Sequence, residues 1–394
     1  MPELWRSHDK TEEEAVFRKT IRDFVIQLVD PLYSEAKRDP AGVRLRLRKE
    51  AGRRGIMGIS IPEKYGGQGG SVMMQGIAKE ELGRSRVVPQ IVPAPLLTIY
   101  EKFAEYGNEA LVKEWMPKFL NGDAEGGIGS TEPGSGSDIS GFVTTATKKG
   151  KSYILSGEKG PVSGVSSSDA YFVLARTGSE GSGAKGVSMF FVESDLPGIK
   201  KSSFKAMEET WELGAVKFDN VEIPEENLIG KEGRGFYQMM GSLDIERILL
   251  PMGYVGAATE SLEESISYTK SRVVWGRPIA SFEGIMFPLV EAVARMEAVR
   301  SYMYDIMRTA ESEKNVTKYA SMARWLVTRT ALDALDTCIQ VNGAQGYTDL
   351  VPHERRYRWV RSGLIGHGTQ EIQKLVIGRE IFGKEIYDLA LGRR

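Results

Sequence analysis

Cysteine, histidine and long apolar runs are all scarce in this chain. One cysteine among 394 residues excludes an internal disulfide and a thiolate metal cluster. The three histidines, His8, His353 and His367, are too scattered for metal-ligand spacing, so we predict no metal site. No apolar run approaches membrane-spanning length, and the N-terminus lacks the basic-then-apolar pattern of a signal peptide. These absences predict a soluble cytoplasmic protein with no membrane partner.

An excess of either charge is also missing. The chain has 52 basic and 53 acidic residues and a formal net charge of −1. This balance gives no global field that would recruit nucleic acid or an anionic membrane surface, so partners must be recognised locally. The length favours two or three packed units.

Two of the scarce residues are predicted to lie outside the functional site. Leu332, Leu335 and Ile339 share a helical face around Cys338, which favours a buried thiol. His353 falls in a charged turn, and we predict a solvated surface histidine there.

The periodicity of apolar residues changes twice along the chain. A first amphipathic helix is predicted for residues 13–30, ended by Asp30-Pro31, with further helices up to about Leu120. Short β-branched or aromatic runs follow at 152–155, 170–175, 187–192 and 216–218. They predict a small antiparallel β domain in which residues 178–183 form an exposed loop tip. Helical spacing returns after Gly235 and persists to the end.

A loop separates the first helical section from the β section. Residues 128–138 read IGSTEPGSGSD, a composition typical of an irregular, hydrogen-bond-rich loop that presents N–H groups and hydroxyls to a polar, anionic ligand. A flexible linker is the alternative, because Gly/Ser/Pro runs are usually linkers. Neither G-x-G-x-x-G nor G-x-x-x-x-G-K-[ST] occurs in strand-to-helix context.

This loop resembles the TEPxxGSD flavin loop of the acyl-CoA dehydrogenase family. Further segments match family motifs in register: residues 55–69 resemble GxxxPExYGG, 220–224 VxVP, 271–278 ERxxFG and 340–347 QxxGGxGY. The resemblance spans essentially the whole chain. It implies a mainly α fold with a central β domain: an N-terminal helical domain (1–125), a middle antiparallel β-barrel (126–232) and a C-terminal four-helix bundle (233–394).

The resemblance also implies FAD as the cofactor, held without a nucleotide-binding βαβ unit. At the WxT/S motif Pro161 replaces the Trp and Ser163 keeps the hydroxyl, while Glu283 stands where an amide is usual. In the family, one cofactor contact crosses a dimer interface, so a homotetramer built as a dimer of dimers is expected. Thr369 could also N-cap the last helix. The positions implied for the cofactor are Ile128, Ser130, Thr131, Ser137, Pro161, Ser163, Arg272, Trp275, Glu283, Gln340, Gly343, Thr369 and Glu371.

The implied reaction is α,β-dehydrogenation of an acyl-CoA, with an electron-transfer flavoprotein as the acceptor. An α C–H is a weak acid, so the site must polarise the thioester carbonyl and present a base in a dry pocket. Asp244 and Arg247 lie three residues apart on one helical face. The positions implied for the substrate are Ser137, Asp244, Arg247 and Gly368.

The base has two candidates. His367 occupies the position of the Glu in the family's EGT motif, whereas Glu246 matches the LDxER-like context in which isovaleryl-CoA and long-chain members carry their catalytic Glu. Burial beside an acyl chain would raise the pKa of the Glu246 carboxyl toward the operating range. We predict Glu246 as the base; the alternative is a helix-surface carboxylate paired with a basic neighbour.

Three interpretations of His367 stay open. It is a spectator whose backbone N–H polarises the thioester carbonyl, it is itself the base, or the chain has lost or changed the reaction. We favour the first of these. Two alternatives also remain for the whole protein: another flavin reaction on an acyl thioester (oxidase, reductase or elimination), or a non-catalytic flavin-binding subunit of a hetero-oligomeric dehydrogenase.

Overall fold

The computed structural model describes residues 4–87, 97–138, 141–179, 181–210, 212–313 and 315–392. The chain forms two compact units that alternate along the sequence. Unit 1 comprises Met1–Asp39, Ser71–Val92 and Asp244–Arg394, and unit 2 comprises Pro40–Gly70 and Pro93–Leu243, each in its described parts. The boundaries of the three predicted domains are not tested by this division and stay a prediction.

Helices make up most of the chain before the β section and after it, as predicted. The α-helices of the described ranges are α1 (Glu12–Phe24), α2 (Tyr33–Ala36), α3 (Pro40–Arg53), α4 (Val72–Gly83), α5 (Leu97–Tyr106), α6 (Glu109–Leu120), α7 (Gly235–Ser271), α8 (Glu283–Ser312), α9 (Thr317–Val341), α10 (His353–Ser362) and α11 (Gln370–Ala390).

Strands fill the middle section. They are β1 (Gly126–Gly129), β2 (Thr145–Lys149), β3 (Ser152–Ser163), β4 (Ala170–Arg176), β5 (Val187–Glu193), β6 (Ile199–Phe204), β7 (Leu213–Pro224) and β8 (Leu228–Ile229), followed by the two-stranded ribbon of β9 (Val273–Val274) and β10 (Arg277–Pro278). All four predicted strand runs are confirmed. The predicted loop at 178–183 joins the antiparallel strands β4 and β5; Glu180 lies outside the described residues.

Helix α1 begins where the sequence predicts but does not end where predicted. Thr11 accepts a hydrogen bond from the N–H of Glu14, and acidic residues fill the first turn, an arrangement that favours a helix N-terminus. The predicted stop at Asp30-Pro31 is wrong, because the helical path continues through a π-turn and a 3-10 turn into α2. Pro31 lies in the first turn of the 3-10 segment, where its missing N–H removes no helical hydrogen bond.

The eight-stranded sheet of unit 2 has the order β6-β7-β3-β2-β4-β5-β8, with β1 beside β4. Most pairs are antiparallel, whereas β1 and β2 each pair with β4 in parallel. Among the described strands the hydrogen-bonded path is open, with β6 and β8 at its ends. The sheet is therefore the expected β domain, but its ladders do not close the predicted barrel.

Strand β4 lies between two apolar clusters of unit 2. Phe172 and Leu174 pack into a cluster with Phe103 of α5 and Phe119 of α6. Because successive side chains of a strand point to opposite faces, Tyr171 and the other alternate residues enter a second cluster formed by β2, β3, β5 and β7. Burial on both faces explains the nearly uninterrupted apolar sequence of β4 and β5.

In unit 1 the long helices α7, α8, α9 and α11 form the C-terminal helical section. Close approach of α4 to α7 depends on glycine: a Cβ on Gly83 would lie 2.1 Å from the carbonyl oxygen of Gly253. Cys338 is buried, as predicted, and burial raises the pKa of its thiol to about 12. No helix in the described ranges combines the length and apolar character needed to cross a bilayer.

The prediction that His353 is a solvated surface residue is wrong, because the structure buries it. It is 1% exposed and begins α10, whose buried face also carries Arg356 and Trp359. Burial and the positive charges of Arg356 and Arg86 lower the pKa of His353 to about 3. The charged residues that made this segment look like a surface turn are partly internal, because Arg356 pairs with Glu264 at 2.8 Å.

Candidate active site

Unit 1 brings together Glu246 and His367, the two residues that the sequence offers as candidates for the base. Oε2 of Glu246, on α7, lies 3.9 Å from Nε2 of His367, in the loop before α11. The Glu246 side chain is 19% exposed and that of His367 is 42% exposed. A half-buried carboxylate beside an imidazole is an arrangement in which either group could receive a proton, so their electrostatics decide between them.

The surroundings of His367 keep its ring neutral. Desolvation by the surrounding protein and the positive charges of Arg324, Lys79 and Arg247 lower the pKa of His367 to about 3. Such an imidazole is unprotonated at pH 7 and is too weak a base to compete well for a carbon-bound proton. The arrangement favours the carboxylate of Glu246 as the acceptor.

Asp244 and Arg247 meet on one face of α7, as their spacing predicts. Nη1 of Arg247 lies 3.2 Å from Oδ1 of Asp244, and the hydroxyl of Thr317 donates to the other carboxylate oxygen. Arg247 is 7% exposed, and burial lowers its pKa. The two residues of this pair flank Glu246 on the same turn of α7.

Two buried side chains hold the loop of His367. Nη2 of Arg324, on α9, donates to the carbonyl of Gly366 at 2.9 Å. Nε2 of Gln373 donates to the carbonyls of Gly368 at 2.9 Å and His367 at 3.3 Å. The sequence analysis missed both residues.

A sequence signal for Arg324 was nevertheless present. It lies four residues from Ala320 and from Thr328 on the buried stripe of α9, where a charged residue breaks the apolar pattern. The predicted cap at the start of α11 is confirmed, since the Thr369 hydroxyl accepts from the N–H of Ile372 at 3.3 Å.

The central loop of unit 2 is tied to β3. Nζ of Lys159 donates to the carbonyl of Ser130 at 3.3 Å, and the N–H of Gly160 donates to the carbonyl of Thr131 at 2.9 Å. Pro161 and Ser163 follow on the same strand and are exposed. These bonds exclude the flexible-linker alternative for residues 128–131.

A buried ion pair anchors this loop. Nζ of Lys159 lies 2.7 Å from Oε1 of Glu132, with the two side chains 0% and 1% exposed. The Glu132 carboxylate also accepts from the N–H groups of Val143 at 2.7 Å and Thr144 at 3.0 Å. Burial outweighs the attraction of Glu132 and lowers the pKa of Lys159 to about 8. Burial opposes ionisation of Glu132 as well, but the bonds from Lys159 and Val143 prevail and lower its pKa.

The loop has unused hydrogen-bonding groups where a cofactor would need them. The side chains of Ser130, Thr131 and Ser137 are partly or fully exposed, and in the described ranges their hydroxyls hydrogen-bond to no other residue. A backbone fixed by β3 that carries free hydroxyls suits a ligand rich in phosphate and carbonyl oxygens. The residues present therefore fit a dinucleotide such as FAD.

The remaining predicted cofactor positions are exposed in the single chain. Trp275 and Gly276 form the two-residue turn between β9 and β10, with φ values of 51° and 80°, the geometry of a tight hairpin. The Trp275 side chain is 87% exposed and meets Phe282 edge-on, with ring centroids 5.8 Å apart. The other exposed positions are Arg272, Glu283, Gln340, Gly343 and Glu371.

Comparison with known proteins finds family matches along most of the chain. Models of the N-terminal, middle and C-terminal domains of acyl-CoA dehydrogenase match residues 11–123, 127–221 and 233–382. The chain is 35% identical over 376 residues to an acyl-CoA dehydrogenase of Bacillus subtilis (strain 168), covering 95% of this chain and 99% of that protein. It is also 29% identical over 376 residues to the 3-(aryl)acrylate reductase of Clostridium sporogenes (strain ATCC 15579), covering 94% and 99% of the two chains.

A solved structure shows the same fold. The crystal structure of acyl-CoA dehydrogenase from Geobacillus kaustophilus matches with a TM-score of 0.89 and 28% sequence identity, covering 95% of this chain and 100% of that one. Fold and matches together define a three-domain oxidoreductase of the class that acts on CH–CH bonds. The chain belongs to the acyl-CoA dehydrogenase family, whose members are FAD-dependent flavoproteins.

Proposed function

We propose that this protein dehydrogenates an acyl-CoA thioester between its α and β carbons, with Glu246 as the base. One observation carries the proposal. The Glu246 carboxylate lies 3.9 Å from His367, the residue at the family's usual base position, and the pKa of His367 is lowered to about 3. This distance supports a base on α7 that acts beside the position of the missing EGT carboxylate.

Each group of this site has a distinct task. Glu246 takes the α proton, and the backbone N–H of His367 donates to the thioester carbonyl, so that negative charge developing on the oxygen is stabilised. Asp244, Arg247 and Gly368 contact the CoA ester. When bound, FAD supplies the two-electron acceptor for the β hydride. The imidazole of His367 stays neutral and takes no proton.

The cofactor would be held by the tied loop and by a second copy of the chain. Ile128, Ser130, Thr131, Ser137 and Ser163 offer backbone and hydroxyl groups along β1 and β3. The exposed Arg272 and Trp275 offer a cation and an indole to the cofactor of a neighbouring protomer, together with Glu283, Gln340 and Gly343. The family resemblance also implies Thr369 and Glu371 as cofactor positions. Such sharing of the cofactor between protomers would require assembly of the chain. We propose a cytoplasmic homotetramer that passes electrons to an electron-transfer flavoprotein.

The second candidate function is the reverse reaction, the reduction of an α,β-unsaturated thioester. It is favoured by Pro161 in place of an indole and by the similarity to a 3-(aryl)acrylate reductase. The same base and N–H donor would serve, because proton transfer at the α carbon is required in either direction.

The test is an anaerobic titration of the purified protein with straight, branched and aromatic acyl-CoAs, following flavin absorbance and analysing the thioester by mass spectrometry. Dehydrogenation predicts bleaching with loss of two hydrogens from the acyl group. A flavin that no saturated ester bleaches, but whose dithionite-reduced form is reoxidised by an aryl-substituted unsaturated ester, would favour the reductase. Bound flavin inert to both would favour a partner subunit, and absence of flavin would refute the cofactor assignment.

A further inference from the structure

Arg324 is a buried cation without an acidic partner. It is 2% exposed, and within the described part of the chain it forms no ion pair. Its acceptors are the carbonyl of Gly366 at 2.9 Å and the hydroxyl of Thr328 at 3.3 Å. Guanidinium groups are rarely buried unless paired, because the loss of hydration is costly. The guanidinium also lies over the Tyr254 ring, 5.5 Å from its centroid. Its contact with the loop of His367 suggests a role there.

The hydrogen bond from Arg324 to the Gly366 carbonyl fixes the direction of the His367 N–H. The carbonyl of Gly366 and the N–H of His367 belong to one trans peptide, which is planar and places them on opposite sides. With Arg324 on the carbonyl side, the N–H of His367 points away from the guanidinium. In the ranges that the structure describes, that N–H has no hydrogen-bond acceptor.

Arg324 also makes this N–H a better donor. Hydrogen bonds in a chain polarise one another, and a charged donor on the carbonyl draws electron density from the amide nitrogen. The geometry is held from the other side by Gln373, which is fully buried and bonds the carbonyls of His367 and Gly368. The φ of 56° at His367 is uncommon for a residue other than glycine, so the loop needs such support.

We propose that Arg324 is a positioning residue that aims and strengthens the His367 N–H as the donor to the thioester carbonyl. The proposal rests on the function proposed above. It gives a role to a buried cation that has no acidic partner among the described residues, and it assigns the role of residue 367 to its backbone rather than to its ring.

The test compares Arg324→Met, which keeps the length of the stem but removes the donors, with Arg324→Lys, which keeps a charge and a shorter donor. Arg329→Met is the matched control, because Arg329 lies on the same helix, is 58% exposed and pairs with Asp333 on its own helix. The first readout is the infrared stretching frequency of a 13C-labelled thioester carbonyl in a bound, non-dehydrogenable 3-thiaacyl-CoA. The second is the rate of flavin reduction in a single turnover.

We expect Arg324→Met to lose most of the binding-induced lowering of the carbonyl frequency. Its flavin reduction should slow about ten- to a hundredfold, less than the hundred- to thousandfold loss typical when an oxyanion donor is removed outright. The dissociation constant of the 3-thiaacyl-CoA should change little. Arg324→Lys should keep part of both effects, and Arg329→Met should match the wild type.

A wild-type carbonyl frequency in Arg324→Met would overturn the proposal. If Arg324→Met does not fold, the carbonyl frequency is measured in Arg324→Lys instead. A wild-type frequency in that variant would overturn the proposal. Wild-type flavin that no acyl-CoA bleaches would instead refute the proposed dehydrogenation. The frequency shift would still be measurable in that case, because it requires only binding.

Discussion

The buried pair of Lys159 and Glu132 offers a quantitative test of how the cofactor loop is held. In Lys159→Met the Glu132 carboxylate stays buried but keeps its bonds from the N–H groups of Val143 and Thr144. Removing one partner of a buried ion pair costs about 3–5 kcal/mol. The two remaining donors favour the lower end of that range, and the lost bond to the Ser130 carbonyl adds about 1 kcal/mol. We expect a total loss of about 4 kcal/mol.

The measurement is urea unfolding at pH 7 and one protein concentration, followed by circular dichroism. The matched control is Lys148→Met on β2, whose pair with Glu225 is 3.3 Å long and about half-exposed; it should cost about 0–1 kcal/mol. Adding Glu132→Gln to Lys159→Met should recover part of the loss, because the stranded charge is gone. The reasoning fails if Lys159→Met costs no more than the control, or if the double variant is no more stable than the single one.

Two further predictions follow from buried titratable groups. Folding lowers the pKa of His353 to about 3 from about 6.5 in the unfolded chain, so the unfolded state binds more protons between these values and stability falls as pH drops through 6.5. The fall from pH 7 to pH 5 should be about 2 kcal/mol smaller in His353→Gln than in the wild type, by urea unfolding at both values; equal pH dependence would contradict this. Cys338, buried with a raised pKa, should be inert to a thiol reagent in the folded protein and react only on unfolding; rapid labelling of native protein would refute it.

The β domain could be predicted from the sequence because its strands are short and their surroundings uniform. In β4 every residue from Ala170 to Ala175 is buried, so apolar residues fill consecutive positions and Gly and Ser clusters mark the ends. The order of helical, β and helical sections along the chain follows from the same change of period. Closure of a barrel was inferred from resemblance alone, and the ladders do not show it.

Tertiary contacts decide the environment of polar residues, and this explains the miss at His353; the miss at Pro31 has a local cause. His353 lies among arginines, and only the pairing of Arg356 with Glu264 makes burial of that segment tolerable. Pro31 follows a pattern that normally ends a helix, but a 3-10 turn accommodates it. For the site, motif register brought Glu246 and His367 forward as candidates. Their 3.9 Å separation and the support from Arg324 and Gln373 depend on packing between helices far apart in sequence.

The central claim is that Glu246, and not His367, removes the α proton. The most direct measurement is anaerobic stopped-flow reduction of the flavin by the acyl-CoA that bleaches the wild type, in Glu246→Gln and His367→Gln. We expect Glu246→Gln to be slower by about a hundred- to ten-thousandfold, the usual contribution of a general base. His367→Gln should keep most of the rate, because its backbone N–H is unchanged. The reverse pattern, with Glu246→Gln reduced at the wild-type rate and His367→Gln inactive, would contradict the account.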